Sequence, residues 1–231
     1  MEPHKDLGSG TEEFRPSLDD GPTAYFRKAM AFTRTYYAKE MESVASVSLD
    51  SVSPDHFYRE YVWVVHATGF SAKAVGKFLP RLSEAYGPWW KLGIESFDDA
   101  MARVKTVCNN PQKAKAVHKT AAWMCKTLEK EPWEQLRDRD LSSPALLARL
   151  PYVGKITCMH LGRNIGLLDC VKPDLHLVRM AEHWGFPDCD AMCRSMREES
   201  GEDVPLGIVD LALWYSASTF GTKEIRTAGA R

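Results

Sequence analysis

The sequence predicts an all-α protein. Apolar and aromatic residues recur at spacings of three and four along most of the chain, no segment alternates convincingly with period two, and short Gly/Pro turns punctuate the helical stretches. At 231 residues the chain can form one generous domain or two small lobes. The expectation is a flexible arm over residues 1–20, then one two-lobed helical domain over 21–231.

Each element has a local reason. Residues 1–20 mix Gly, Ser, Pro and acidic residues with little apolar content, the composition of a mobile arm. From Thr23, AYFRKAMAFTRTYYAKEM carries helical periodicity. SPDHFYREYVWVVHATG opens on Ser53-Pro54-Asp55, a helix start, and closes at Gly69, a helix stop. Its middle, Tyr61 to Val65, is apolar all round, so this helix is expected to be buried. SAKAVGKFLPRLSEAYG reads as an amphipathic helix broken near Pro80. SFDDAMARVKTVCN and PQKAKAVHKTAAWMCKTLEK are two more, separated by Asn109-Asn110-Pro111. SSPALLARL, VGKITCMHLGRNIG and PDLHLVRMAEHWG follow, and the last helix lies around PLGIVDLALWYSAS.

Composition excludes several classes. No apolar run approaches the roughly 18–20 residues that span a bilayer, and the polar, acidic N-terminus reads as neither signal peptide nor anchor. The six cysteines, at 108, 125, 158, 170, 189 and 193, have neither the density of a disulfide scaffold nor CxxC spacing, which suits a reducing cytoplasm. No GxxxxGK[ST] loop is present, which argues against an ATP-driven step. The net charge of −1 hides segregation: Met101–Met180 holds 14 Lys/Arg against 7 Asp/Glu, and the remainder carries 16 against 24. A basic half of this kind is either a solvated helical face or a surface for a polyanion.

Two motifs bear on that choice. In LPYVGKITCMHLGRN (Leu150–Asn164) a helix, a Pro/Gly turn and a second helix starting near Lys155 follow in succession, a helix-hairpin-helix over about 143–166. Such a turn leaves N–H groups unpaired at a helix start, where the helix dipole favours an anion. Gly154, Lys155 and Thr157 are its phosphate-binding candidates, with Arg149 or Arg163 adding charge. The same residues also describe an ordinary αα-hairpin. One helix downstream, KPDLHLVR puts Pro173 at a first helical position and Asp174 in the first turn, near the positive helix end. Alone, that aspartate reads as a cap.

Together, LPYVG followed by PDLHLVR resembles the helix-hairpin-helix DNA glycosylases of base excision repair, the HhH-GPD superfamily. Asp174 stands 20 residues after Gly154, a spacing compatible with that family's hairpin and catalytic aspartate. The resemblance covers roughly residues 55–220. It implies a two-lobed helical fold, double-stranded DNA as partner and a flipped-out base as substrate. It makes Asp174 the catalytic carboxylate and puts Tyr152, Gly154, Lys155, Thr157 and Arg179 at the DNA. His66 falls in the slot for a polar residue facing the base; Trp63, Tyr152 and Trp214 are further pocket candidates, with Tyr61 and Trp123 behind them. His176, about 200° around the helix from Asp174, is expected to be structural.

The departures refine what is implied. The slot for a Schiff-base lysine falls on Ile156, so the expected enzyme is monofunctional. Cys189 and Cys193 supply only two of the four cysteines of an iron–sulfur loop; no cofactor is expected beyond an alkali ion at the hairpin, and no side-chain metal site. REYVWVVHATGF and KPDLHLVR further resemble the alpha-glutamyl/putrescinyl-thymine pyrophosphorylase-like branch, associated with hypermodified pyrimidines in phage DNA. The expected function is excision of a modified, even glucosylated, pyrimidine, as a phage defence, by a cytoplasmic monomer of a bacterial or phage-infected cell. Two alternatives stand beside it: an amino acid:DNA transferase building hypermodified thymine, and a non-catalytic DNA-binding module. The last explains poorly a carboxylate set where DNA phosphates should be close.

Overall fold

The computed structural model describes residues 8–70 and 72–221, all helices and turns, with no strand among them. In chain order the helices are α1 (Pro22–Tyr36), α2 (Ala38–Ala45), α3 (Pro54–Ala67), α4 (Ala72–Tyr86), α5 (Trp89–Leu92), α6 (Phe97–Val104), α7 (Pro111–Leu128), α8 (Trp133–Asp140), α9 (Pro144–Leu147), α10 (Thr157–Asn164), α11 (Leu175–His183), α12 (Cys189–Ser200) and α13 (Leu206–Phe220). The starts follow sequence chemistry. Ser53, Ser96, Asn110, Ser143 and Asp188 each accept an N–H from the first turn that follows. Proline opens α1, α3, α7 and α9, where its missing N–H costs nothing.

The chain forms two compact units. The first spans Val47–Leu167 and holds α3 to α10; the second holds α1, α2 and α11 to α13, from residues 8–46 and 168–221. In the first, α3 is buried as its apolar girth predicts: Phe57, Tyr61, Val62 and Val65 pack with Val117 and Met124 of α7, Leu136 of α8 and Leu161 of α10. Trp133 donates its indole N–H to the Val52 carbonyl at 2.6 Å. In the second, α13 is apolar nearly throughout and is wrapped by α1, α11 and α12 through Phe26, Met30, Leu177, Met180, Met192 and Met196.

Several expectations are corrected. Residues 8–20 are not a free arm but two 3-10 turns docked on the second unit. Phe14 packs against Phe32 and Tyr36, and the Tyr36 hydroxyl and Trp184 indole donate to the carbonyls of Gly10 and Leu18. Residues 1–7 of the expected arm lie outside the described residues. The helix expected from Thr23 breaks at Tyr37, whose buried ring stacks on Tyr215 at 3.9 Å. Conversely α4 runs through Pro80; the proline is exposed, and solvent can replace the bond its missing N–H forgoes. Three helices escaped the pattern: α5, a single turn after Gly87-Pro88, α8 and α12. α8 is short and heavily charged, and the buried face of α12 is written in Cys189, Met192, Cys193 and Met196.

Candidate functional site

The first unit presents the hairpin. α9 ends at the buried Leu147, and the chain turns so that Val153 is buried while Gly154, Lys155 and Ile156 stand exposed. α10 begins at Thr157, two residues later than expected. The N–H groups of Gly154, Lys155 and Ile156 therefore donate to no carbonyl among the described residues, and the first backbone bond into α10 runs from Cys158 to the Gly154 carbonyl at 2.9 Å. Three free amides in succession, with the Lys155 ammonium alongside, make an anion cradle. Thr157, half-buried, opens the helix behind it.

Tyr152 is the one non-glycine residue with positive φ, 63°, among the described residues. That conformation costs on the order of 1 kcal/mol and persists only where surroundings enforce it. Here Tyr61 of α3 enforces it from beneath: its buried hydroxyl donates to the Pro151 carbonyl at 2.5 Å and lies 3.3 Å from that of Ala116. Tyr61 is thus a strut of the hairpin rather than a pocket wall.

A lysine that sequence reasoning missed lies behind the turn. Lys113 is 2% exposed, and its Nζ donates to the carbonyls of His66 at 3.0 Å and Thr68 at 2.5 Å. The same ammonium sits 4.7 Å from the Phe70 ring centroid and 5.8 Å from that of Tyr152. Burial holds its pKa below the ordinary lysine range. Its signal was a cation on the apolar stripe of α7, in line with Val117, Thr120 and Met124.

His66, expected to face a base, is fully buried. Its Nε2 meets the Tyr86 hydroxyl at 3.0 Å; burial, and the Lys113 charge second, push its pKa down to about 4. Trp63 is likewise core. Tyr152 alone of the pocket candidates in this unit is exposed at the hairpin.

The second unit presents the carboxylate. Residues 168–174 form a strap in front of α13: Gly207 N–H donates to the Leu168 carbonyl at 2.7 Å, and Lys172 N–H to the buried Asp210 carboxylate at 3.0 Å. Asp210, an aspartate inside the apolar run IVDLALW, is the second residue that sequence reasoning missed. The strap ends on Asp174. Pro173 lies before the helix, so Asp174 is the N-cap of α11 and not a first-turn residue; its extended backbone turns the side chain back onto the helix end. Oδ1 accepts both cap bonds, from His176 N at 2.9 Å and Leu177 N at 3.1 Å, so the cap does not need Oδ2. The half-exposed carboxylate thus sits at the positive end of α11. His176 is half-buried, and burial lowers its pKa; the Arg179 charge adds to that, while the Asp174 charge opposes it. Arg179 is half-buried on the next turn, and Trp214 lies half-buried in α13 beside Tyr215.

Cys189 and Cys193 are buried in the α12 face, where burial raises both thiols, that of Cys189 to about 12. Among the described residues no three His, Cys, Asp or Glu side chains are grouped to hold a metal ion, and no helix is long and apolar enough to cross a membrane.

No protein-family model and no curated protein matches the chain. Solved structures do. An 8-oxoguanine glycosylase/lyase of Methanocaldococcus jannaschii, solved with a 15mer DNA containing 8-oxoguanine, is similar over 83% of this chain and 96% of its own, with TM-score 0.58 and 15% identity. The 8-oxoguanine DNA glycosylase of Thermotoga maritima is similar over 86% and 96%, with TM-score 0.59 and 16% identity.

Proposed function

We propose that this chain, whose fold is the all-helical fold of the HhH-GPD glycosylases, is a monofunctional DNA glycosylase that excises a modified pyrimidine and leaves an abasic site. The observation that carries the reading is that both parts such chemistry needs are built in one chain: a hairpin with three free amides beside a lysine, and a carboxylate capping a helix with one oxygen only. The hairpin and Lys155 hold a backbone phosphate and position the duplex without reading its sequence. The target base leaves the stack at a cost of a few kcal/mol. As the N-glycosidic bond breaks, positive charge grows on the sugar. The Asp174 carboxylate stabilises it, and its uncommitted oxygen can orient or deprotonate the attacking water.

Ile156, exposed and without a nucleophile, occupies the hairpin slot where the resemblance puts a lyase lysine, which supports hydrolysis alone. The choice of a hypermodified phage pyrimidine rests on the resemblance of REYVWVVHATGF and KPDLHLVR, and defence against phage is the role that would follow. A cytoplasmic site of action is the expectation carried by six scattered cysteines without CxxC spacing. An alkali ion at the hairpin would be held by main-chain carbonyls, of which those of Ala148 and Val153 accept no backbone N–H among the described residues, and would add positive charge beside the phosphate.

The test uses duplex DNA of ordinary bases beside phage DNA carrying glucosylated or otherwise hypermodified pyrimidines. Base release is followed by mass spectrometry and abasic sites by alkaline cleavage. Release confined to modified DNA, lost in Asp174→Asn and without a borohydride-trapped adduct, is expected. A trapped adduct would make the enzyme a lyase, and an active Asp174→Asn would remove the mechanism. A mass gain on phosphorylated hydroxymethyl-thymine DNA supplied with amino acids would move the chain to transfer chemistry.

A further inference from the structure

A cavity of about 310 Å³ opens within the first unit, beside the hairpin and without Asp174 or Lys155 in its lining. It is lined by Lys119, Thr120 and Trp123 of α7, Asp140 at the end of α8, and Leu146, Arg149, Leu150 and Pro151 on the approach to the hairpin. Its volume is at the lower end of small-molecule sites, the size for one nucleotide rather than a dinucleotide. Its walls differ in kind. Trp123 is half-buried and supplies a flat aromatic face; Leu146 and Leu150 supply apolar edges. Thr120 is fully buried, so its hydroxyl, beside the Tyr61 phenol, lies behind the cavity wall. At the rim, Lys119 and Arg149 are exposed cations, and the Asp140 carboxylate is bound by Arg139 at 2.6 Å, so the mouth is net positive.

We infer that this cavity binds a single nucleotide unit. The base stacks on Trp123, a polar base edge meets Asp140, and the phosphate lies between Lys119 and Arg149. The unit is either a free mononucleotide or a nucleotide of a DNA strand gripped by the hairpin, since Leu150 and Pro151 serve both features. The inference stands apart from base excision, and Asp174 has no part in it.

The full-length protein is titrated calorimetrically with the four deoxynucleoside 5′-monophosphates, with thymidine, with deoxyribose 5-phosphate and with a short single-stranded oligonucleotide. At least one mononucleotide is expected to bind about tenfold or more tighter than either fragment, because base and phosphate are held together. Trp123→Ala and Arg149→Gln should each weaken it about tenfold, and Trp123→Phe should retain most of it. Arg149 is exposed, so its variant stands if Trp123→Ala misfolds. Asp174→Asn and Lys155→Glu should leave mononucleotide binding unchanged, which separates failure here from failure of the excision reading. Displacement of the mononucleotide by the oligonucleotide identifies a strand as the source; absence of displacement identifies the free nucleotide. Failure of every mononucleotide to bind, or wild-type binding by both Trp123→Ala and Arg149→Gln, overturns the inference.

Discussion

Under the proposed function, Asp174 would serve structure and chemistry with different features of one side chain. Its Oδ1 caps α11, a task asparagine performs about equally well, while stabilising a cationic sugar needs the negative charge. Asp174→Asn should therefore keep the wild-type melting temperature within a degree or two and lose base excision, whereas Asp174→Ala should also lose about 1 kcal/mol of stability, read by chemical denaturation. His66 yields a second prediction. Its folded pKa of about 4 lies below the unfolded value of 6.5, so between these values the unfolded chain binds the extra proton. Stability should be constant above pH 6.5 and fall as the pH drops towards 4, by up to about 3 kcal/mol from this residue. Denaturation midpoints of the wild type and His66→Gln across that window test it; equal slopes would mean that His66 does not titrate in this way.

At the scale of elements, the hairpin is stiff for reasons outside itself. Tyr61 ties Pro151 to α3, and Lys113 ties the end of α3 to α7 while facing the Tyr152 ring. The three free amides therefore stand already arranged, and a phosphate does not have to order them. Lys155→Glu reverses a charge beside them without touching the core. It should weaken binding to all duplex sequences alike and reduce the slope of log K against log salt by about one to two. An unchanged slope would show that phosphate binds elsewhere.

At the scale of the whole molecule, the chain passes between its units at 46/47 and at 167/168. The first-unit sides of these two crossings touch. Gly166, with φ of 90°, packs so closely on Ser48 and Leu49 that a Cβ would collide with their backbone. Gly166→Ala thus meets both an unfavourable φ and a backbone clash, and should cost about 3 kcal/mol or more, seen as a large drop in melting temperature. The basic Met101–Met180 segment spans the same crossing, carrying Lys155 in the first unit and Arg179 in the second. A compositional tally therefore marks a basic segment that is divided between the two units.

What the sequence by itself determined is local. Helix starts at Ser53, Asn110 and Ser143, the buried girth of α3, the hairpin at Leu150 and the cap at Asp174 all follow from propensities, caps and periodicity within a few residues. Tertiary structure decided whatever depends on partners distant in the chain. Tyr37 breaks a helix because Tyr215, far along the chain, stacks on it. Residues 8–20 become ordered because Phe32 and Trp184 are there to receive them. His66 turns into the core, Lys113 caps α3 across 47 residues, and Asp210 holds the strap before Asp174 across 38. None of these partners has a local signature, because a polar group in an apolar stretch looks the same in sequence whether it faces a ligand or satisfies a distant backbone atom.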